Sequence, residues 1–329
     1  MLGKKMPDIL ISENIQGVAV DALRERFDVV ILPDLWKDPA RLKAQIGLFR
    51  ALIVRNQTQV TAELIAAASN VAVIGRAGAG LDNIDVKAAQ RAGIVVTSTP
   101  DQNAISVAEL CIGMMLLLAR HLTNAHANTR AGQWNRHQYM GNELYGKTLG
   151  IVGAGRIGFL TAKRAQAFGM KILAYDPFVS PDNILLSELN ASLVDIDELL
   201  ERSDVVSSHL PATPDTGHFF NAARFSRMKR SAFFINASRG TVVCESDLVA
   251  ALHEKKIAGA ALDVRSVEPP QTGQLETMEN VILLPHIAAF THEAQQRVTT
   301  AVCQDVARVL NGQPPHNAVG VALSEQTFQ

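Results

Sequence analysis

The sequence predicts an α/β chain with two domains, each a doubly wound parallel sheet. Three observations carry that expectation. The 329 residues are enough for two separate cores. Short apolar runs alternate with helical periodicity along most of the chain, as parallel strands joined by crossover helices must. Within the second half of that alternation, the apolar run Leu149 to Val152 opens directly into Gly153-Ala154-Gly155-Arg156-Ile157-Gly158. A helical pattern then begins at once with Phe159, Ala162, Ala165 and Phe168.

In chain order, the first sheet's strands are expected at Asp8 to Ser12, Val29 to Leu32, Ala51 to Val54, Val71 to Ile74 and Ile94 to Val96. Helices are expected between them at Gly17 to Phe27, Pro39 to Ile46, Thr61 to Ala68 and Val86 to Ala92. One long helical stretch follows, from Ser106 to Arg130. Between Leu110 and Ala119 it is apolar on nearly all sides, so it must be buried in a domain joint or against another subunit. Gln133 to Gly141 reads as a loop dense in aromatic and hydrogen-bonding groups. The second alternation places strands at Leu149 to Val152, Lys171 to Tyr175, Val205 to Ser208, Ala232 to Ile235, Gly259 to Leu262 and Val281 to Leu283. A last helix, Glu293 to Leu310, leads into a Pro-containing tail. The coil from Thr97 to Asn103 and the region near His292 read as two hinges. Residues 1–103 and 292–329 then form one domain and 104–291 the other.

The glycine turn carries the first chemical signal. Gly153 permits a tight turn, Gly155 lets a pyrophosphate approach the backbone, and Gly158 lets the helix pack closely on the strand. The strand Lys171 to Tyr175 ends at Asp176, about 18 residues beyond Gly158, where this dinucleotide-binding (Rossmann) fingerprint requires an acid. A carboxylate there accepts from ribose hydroxyls and repels a 2′-phosphate, so NAD is expected over NADP. A second glycine turn, Gly75 to Gly80, fails the fingerprint, since Asn83 stands where the third Gly belongs. Its successive amides suit a small carboxylate instead.

Composition excludes other classes. A net charge of −1, with 47% hydrophobic and 19% charged residues, offers neither a nucleic-acid footprint nor a membrane-surface patch. Cys111, Cys244 and Cys303 lie far apart and read as buried small hydrophobes in a reducing compartment. No metal site is expected, because His121, His126, His137, His218, His253 and His316 lack spaced ligand partners. The start of the chain, Met1 to Pro7, has no apolar stretch of the signal-peptide type, and the apolar run Leu110 to Ala119 is too short to span a bilayer. A cytoplasmic location is the resulting expectation.

In open α/β sheets ligands sit at the carboxyl ends of strands, so polar residues just after strands are the most informative. Asn236-Ala237-Ser238-Arg239-Gly240 follows one strand, Asp263 and Glu268-Pro269-Pro270 follow the next, and Pro285-His286 follows the last. Arg239 can grip a carboxylate and polarise a neighbouring carbonyl. His286 can move a proton near neutral pH, and Glu268 can stabilise its imidazolium. That set suits hydride exchange between a nicotinamide and a 2-hydroxy or 2-oxo acid. His292 is the rival proton donor, ranked below His286 because it does not follow a strand. His209 reads equally well as a cofactor neighbour or as a satisfied turn histidine.

These segments, with Arg76 to Asn83, Ser106 to Leu110, Gly146 to Gly150, Tyr175-Asp176-Pro177 and Ala258 to Val264, resemble the D-isomer-specific 2-hydroxyacid dehydrogenase family over nearly the whole chain. The likeness is strongest to its phosphoglycerate-oxidising branch. It implies an NAD-binding Rossmann domain inserted into a flavodoxin-like substrate domain. It further implies His286 as acid/base, Glu268 as its partner and Arg239 as carboxylate clamp, aided by the backbone of Ala77, Gly78 and Ala79. Arg156 and Ile157 would meet the pyrophosphate, Asp176 the ribose and Asp263 the nicotinamide carboxamide. Pro211, Ala237, Ser238, Arg239, His286 and Ala289 would also border the cofactor. Arg55, Arg76 and a partner subunit's Arg136 would read a second anionic group, as on 3-phosphoglycerate or sulfolactate. Glyoxylate or hydroxypyruvate is the alternative substrate, and an NAD-sensing corepressor-like interaction protein the alternative class. A homodimer through the NAD-binding domain is implied, and no C-terminal regulatory domain is expected. The run Pro285 to Thr291 departs from the family, lacking its usual glycine and small hydroxyl residues after the His, and Phe290 could narrow the pocket.

Overall fold

The computed structural model describes residues 6–180 and 188–320. The readings made above for residues 1–5 and 321–329 lie outside that range. The chain divides into two compact units, residues 1–103 with 292–329, and residues 104–291.

The first unit is a five-stranded sheet of β1 (Ile9–Ile11), β2 (Val29–Ile31), β3 (Ala51–Val54), β4 (Val73–Arg76) and β5 (Val95–Thr97). All neighbours pair in parallel, in the order β2-β1-β3-β4-β5. Alternating side chains serve opposite faces, as the strand period requires. Ile9 and Ile11 pack with the helices Val18–Arg24 and His292–Leu310. Leu10 packs with Pro39–Gln45, Ala62–Ala67 and Val86–Arg91. Asp38, Thr61 and Asp85 start those three helices by accepting a backbone N–H three residues on. The chain's last helix belongs to this unit because Val302 and Val306 lie against β4, close enough that a Cβ on Gly75 would meet each at 2.7 Å.

The second unit holds seven parallel strands: β6 (Thr148–Val152), β7 (Lys171–Tyr175), β8 (Ser192–Leu193), β9 (Val205–Ser208), β10 (Phe233–Asn236), β11 (Gly259–Leu262) and β12 (Val281–Leu283). Their order is β12-β11-β10-β9-β6-β7-β8, so the winding reverses between β6 and β9. The two-residue β8 carries too little periodicity to be read in advance.

The long helix expected from Ser106 to Arg130 is two helices. Ala104–Ala119 is core, with Cys111, Met114 and Met115 fully buried, whereas Leu122–Arg130 buries nothing. Between them His121 takes φ 52° and the axis bends by 64°. The break falls where apolar residues stop: the Ala119 carbonyl is taken by the Asn142 N–H at 2.7 Å, and the chain leaves the core. Residues 122–143 form a largely exposed arm that presents Trp134 and Met140, each 80% exposed. No single helix among the described residues is long and apolar enough to cross a membrane. The bent pair passes by length and composition, but its first member is the core helix just described.

Candidate active site

The glycine turn sits at the reversal point of the second sheet. Gly153 has φ 96°, and a Cβ on Gly158 would lie 2.3 Å from the Gly153 carbonyl oxygen, so helix Arg156–Ala167 can start this close to β6 only with Gly there. On the other side, a Cβ on Gly155 would meet nothing within 4 Å, and no side chain caps the helix. Open amides at a helix start, beside open space, fit a phosphate group. Asp176, just after β7, is fastened to this turn. Its Oδ2 accepts from Ala154 N and its Oδ1 from Phe178 N, both at 2.9 Å. Arg156 is exposed and Ile157 half-buried beside it, and Pro211 is exposed beyond β9. The donor set therefore fits a dinucleotide.

Three of the four strands on one side of the reversal, β10, β11 and β12, bring the expected reactive side chains to one end of the sheet. At the end of β10, Asn236 organises the loop that follows. Its Oδ1 accepts from Ser238 N at 3.0 Å and Ser238 Oγ at 2.8 Å, and its Nδ2 donates to the Arg239 carbonyl at 2.9 Å. Ala237 is buried, and Ser238 Oγ meets Ser208 Oγ at 3.2 Å. A Cβ on Gly240 would fall 1.9 Å from the Arg265 carbonyl oxygen, so the Arg239 loop lies against the loop that leads to Glu268. After β11, Glu268 Oε1 accepts from Arg265 N at 3.0 Å, while its Oε2 meets His286 Nδ1 at 2.7 Å. The imidazole is 42% exposed and the carboxylate 36%, so the pair is open to a ligand.

His286 itself stands at φ 56°, a left-handed conformation that is costly for a residue with a side chain. Asp263 holds it there. The Asp263 carbonyl accepts from His286 N at 2.8 Å, and its two carboxylate oxygens accept from Ile287 N and Ala288 N, each at 2.8 Å. Asp263 is 1% exposed, and burial raises its pKa against the pull of those amides. The resemblance marked this Asp for the cofactor; its bonds here go to the turn that carries His286. Ala289 is half-buried and Phe290 67% exposed on the same turn.

In the first unit Arg55 is half-buried, and burial lowers its pKa while Glu13 acts in the opposite sense. Arg76 is only 9% exposed. Its guanidinium folds over its own loop, donating to the Ala77 carbonyl at 2.6 Å, and lies so near Gly78 (φ 149°) that a Cβ there would clash. It is therefore a buried charge behind the Ala77 to Ala79 turn, not an exposed rim charge. Arg136 is exposed on the arm of the second unit, and His292 is exposed at the start of the first unit's last helix.

Residues 112–288 match the family model described as D-isomer specific 2-hydroxyacid dehydrogenase, NAD binding domain. The chain belongs to this family. The chain is 42% identical over 317 residues to a D-3-phosphoglycerate dehydrogenase from Methanocaldococcus jannaschii, covering 96% of this chain and 60% of that one. It spans 56–60% of the length of three such relatives, from Synechocystis, Methanocaldococcus jannaschii and Archaeoglobus fulgidus. Among solved structures it resembles a glyoxylate reductase from Paecilomyes thermophila (31% identity, TM-score 0.88, 96% of this chain and 99% of that one). It also resembles a D-lactate dehydrogenase from Aquifex aeolicus complexed with NAD and lactic acid (30% identity, TM-score 0.84, 94% and 98%). The cofactor of the family's domain is NAD.

Two features escaped the sequence reading. Asp263's grip on residues 286–288 joins groups more than twenty residues apart. His209, for which two readings stood open, is half-buried, with Nε2 3.0 Å from Ser207 Oγ, and burial pushes its pKa down to about 4. Cys244 is partly exposed, with Sγ 3.3 Å from Ser246 Oγ, unlike the buried Cys111 and Cys303.

Proposed function

We propose that the protein is an NAD-dependent oxidoreductase interconverting a 2-hydroxy acid and a 2-oxo acid, with preference for a substrate that carries a second anionic group. The observation that carries this reading is the 2.7 Å contact between His286 Nδ1 and Glu268 Oε2. With Nδ1–H donating to the carboxylate, Nε2 is the nitrogen that exchanges a proton with the substrate oxygen. Glu268 stabilises the imidazolium in the direction of 2-oxo acid reduction. Arg239 grips the substrate carboxylate and polarises the adjacent carbonyl. When bound, the nicotinamide donates or accepts the hydride at the substrate carbon.

From the second unit, Gly153, Gly155, Arg156, Ile157 and Gly158 offer the phosphate contacts, and Asp176 the ribose contact that favours NAD. Pro211, Ala237, Ser238, Asp263 and Ala289 border that cofactor. From the first unit, the Ala79 amide offers a carboxylate contact, whereas the Ala77 and Gly78 amides expected for it donate to the Val54 and Arg76 carbonyls at 2.8 and 2.9 Å; Arg55, with Arg76 buried behind the turn, supplies positive charge for a second anion such as phosphate or sulfonate. We assign the exposed arm with Trp134, Met140 and Arg136 to a homodimer contact through the NAD-binding domain, and the enzyme to the cytoplasm, where its free cysteines stay reduced.

Initial rates with a panel of 2-oxo acids, using NADH and NADPH, test the proposal. The expected order is phosphorylated or sulfonated substrates first, then hydroxypyruvate and glyoxylate, with NADH preferred. Absence of turnover on every 2-oxo acid with either cofactor would overturn it.

A further inference from the structure

The first unit has its own reversal of strand order, between β1 and β3. In open parallel sheets the crevice at the carboxyl ends of the strands flanking such a reversal is where ligands bind. Glu13 comes two residues after β1 and Arg55 directly after β3. Glu13 is 3% exposed. Its Oε1 accepts from Arg55 N at 2.7 Å and Thr58 N at 3.0 Å, and its Oε2 from Gln57 N at 3.2 Å. Asn83 closes the same loop from its carbonyl side, donating to Arg55 O at 2.8 Å and Thr58 O at 2.7 Å. Ser12 Oγ adds a 2.9 Å contact with Thr58 Oγ1.

A carboxylate is expensive to bury, and neutral acceptors such as Asn or Ser routinely cap loop amides. What they lack is charge. Here the carboxylate sits beside a guanidinium that is also partly withdrawn from water, and it favours the charged form of that group. One buried side chain thus sets both the path of the Arg55 loop and its electrostatic surroundings.

We propose that Glu13 is a positioning residue for substrate selection, fixing the loop after β3 so that Arg55 meets the second anionic group of a phosphorylated or sulfonated 2-oxo acid. The proposal rests on the second-anion reading above. An arginine held in place beforehand loses less freedom on binding, so fixing the loop favours the anion. Removing a nearby negative charge acts in the opposite direction, which makes the sign of the effect decisive.

Hydroxypyruvate and its 3-phospho derivative share a skeleton and differ by the phosphate, so their ratio of kcat/KM reads the second-anion contact alone. In Glu13→Gln this ratio falls about tenfold, the scale of one charge-assisted hydrogen bond, and the change lies in KM for the phosphorylated substrate. In an Arg55→Ala background the same substitution leaves the ratio where Arg55→Ala put it, because Glu13 acts through Arg55. A lowered melting temperature with an unmoved ratio makes Glu13 a loop brace only and overturns the proposal. A ratio that rises also overturns it, by showing a charge that merely repels substrate. If Glu13→Gln does not fold, Glu13→Asp, which keeps the charge but draws it back by one carbon, must lower the ratio instead. A parent enzyme without preference for the phosphorylated substrate removes the second-anion reading and this inference together. A preference abolished by Arg55→Ala but kept in Glu13→Gln removes this inference alone.

Discussion

His286 combines three properties that rarely coincide by accident: a carboxylate partner at 2.7 Å, a partly exposed ring and a left-handed backbone. The backbone conformation costs of order 1 kcal/mol for a residue with a side chain, and its neighbours hold it in place. Its proposed role, exchanging the substrate proton, predicts that His286→Ala lowers kcat by roughly 10²–10⁴ while NAD affinity, followed by fluorescence titration, stays near that of the parent. Normal turnover in that variant would move the proton to another donor, with His292 first in line. His209 shows the opposite use of an imidazole. Burial pushes its pKa down to about 4 from an ordinary 6.5. The unfolded chain therefore takes up a proton between those values that the folded chain refuses. The neutral site costs nothing above pH 6.5, and stability falls as pH drops through 6.5 toward 4. Replacing His209 by Asn should flatten the decline in melting temperature between about pH 6.5 and 5, before most carboxylates titrate. Parallel slopes for parent and variant would show that His209 does not drive it.

At the scale of elements, the turn from His286 to Thr291 behaves as a part built around Asp263. Strand β11 delivers that side chain underneath the turn, where it takes two consecutive amides. At the far end Thr291 Oγ1 meets Ser106 Oγ at 2.8 Å, which ties the turn to the start of the core helix. Asp263→Asn keeps the volume but replaces one acceptor oxygen with an NH₂ facing an N–H. Its expected result is a lower kcat with a smaller change in melting temperature than in kcat, as a displaced imidazole requires. A variant with full kcat would show that the His286 turn holds its shape by other means. The break at His121 is also an element-scale event. Helix propensity runs on through Leu122–Arg130, but the apolar stripe ends at Ala119, and packing rather than propensity sets the helix's length.

On the scale of the whole molecule, residues 122–143 expose more apolar surface than one copy of the chain uses. Trp134 and Met140 project from an arm that contributes nothing to its own core. A second copy is the proposed cover, and it predicts that Trp134→Glu shifts the protein from dimer to monomer in sedimentation at micromolar concentration. An unchanged dimer would place the contact elsewhere. The two units are alike in what their sequences disclose. Both sheets show nearly every strand in advance, since fully buried parallel strands are short unbroken apolar runs.

The sequence by itself determined the α/β class, two parallel sheets, the glycine turn and the strand-exit positions of Arg239, Glu268 and His286. Each of these is written in local order: apolar period, a fixed spacing of glycines, a polar residue directly after a strand. Only the tertiary structure decided that Glu268 grips Nδ1, that Asp263 braces the His286 turn, that Arg76 lies buried across Gly78, and that Glu13 holds the Arg55 loop. Applying the strand-exit rule to β1 marks Glu13 as a candidate, but not its partners. Hydrogen bonds between residues 18 to 45 positions apart depend on which strands become neighbours, and that order is settled when the sheet assembles.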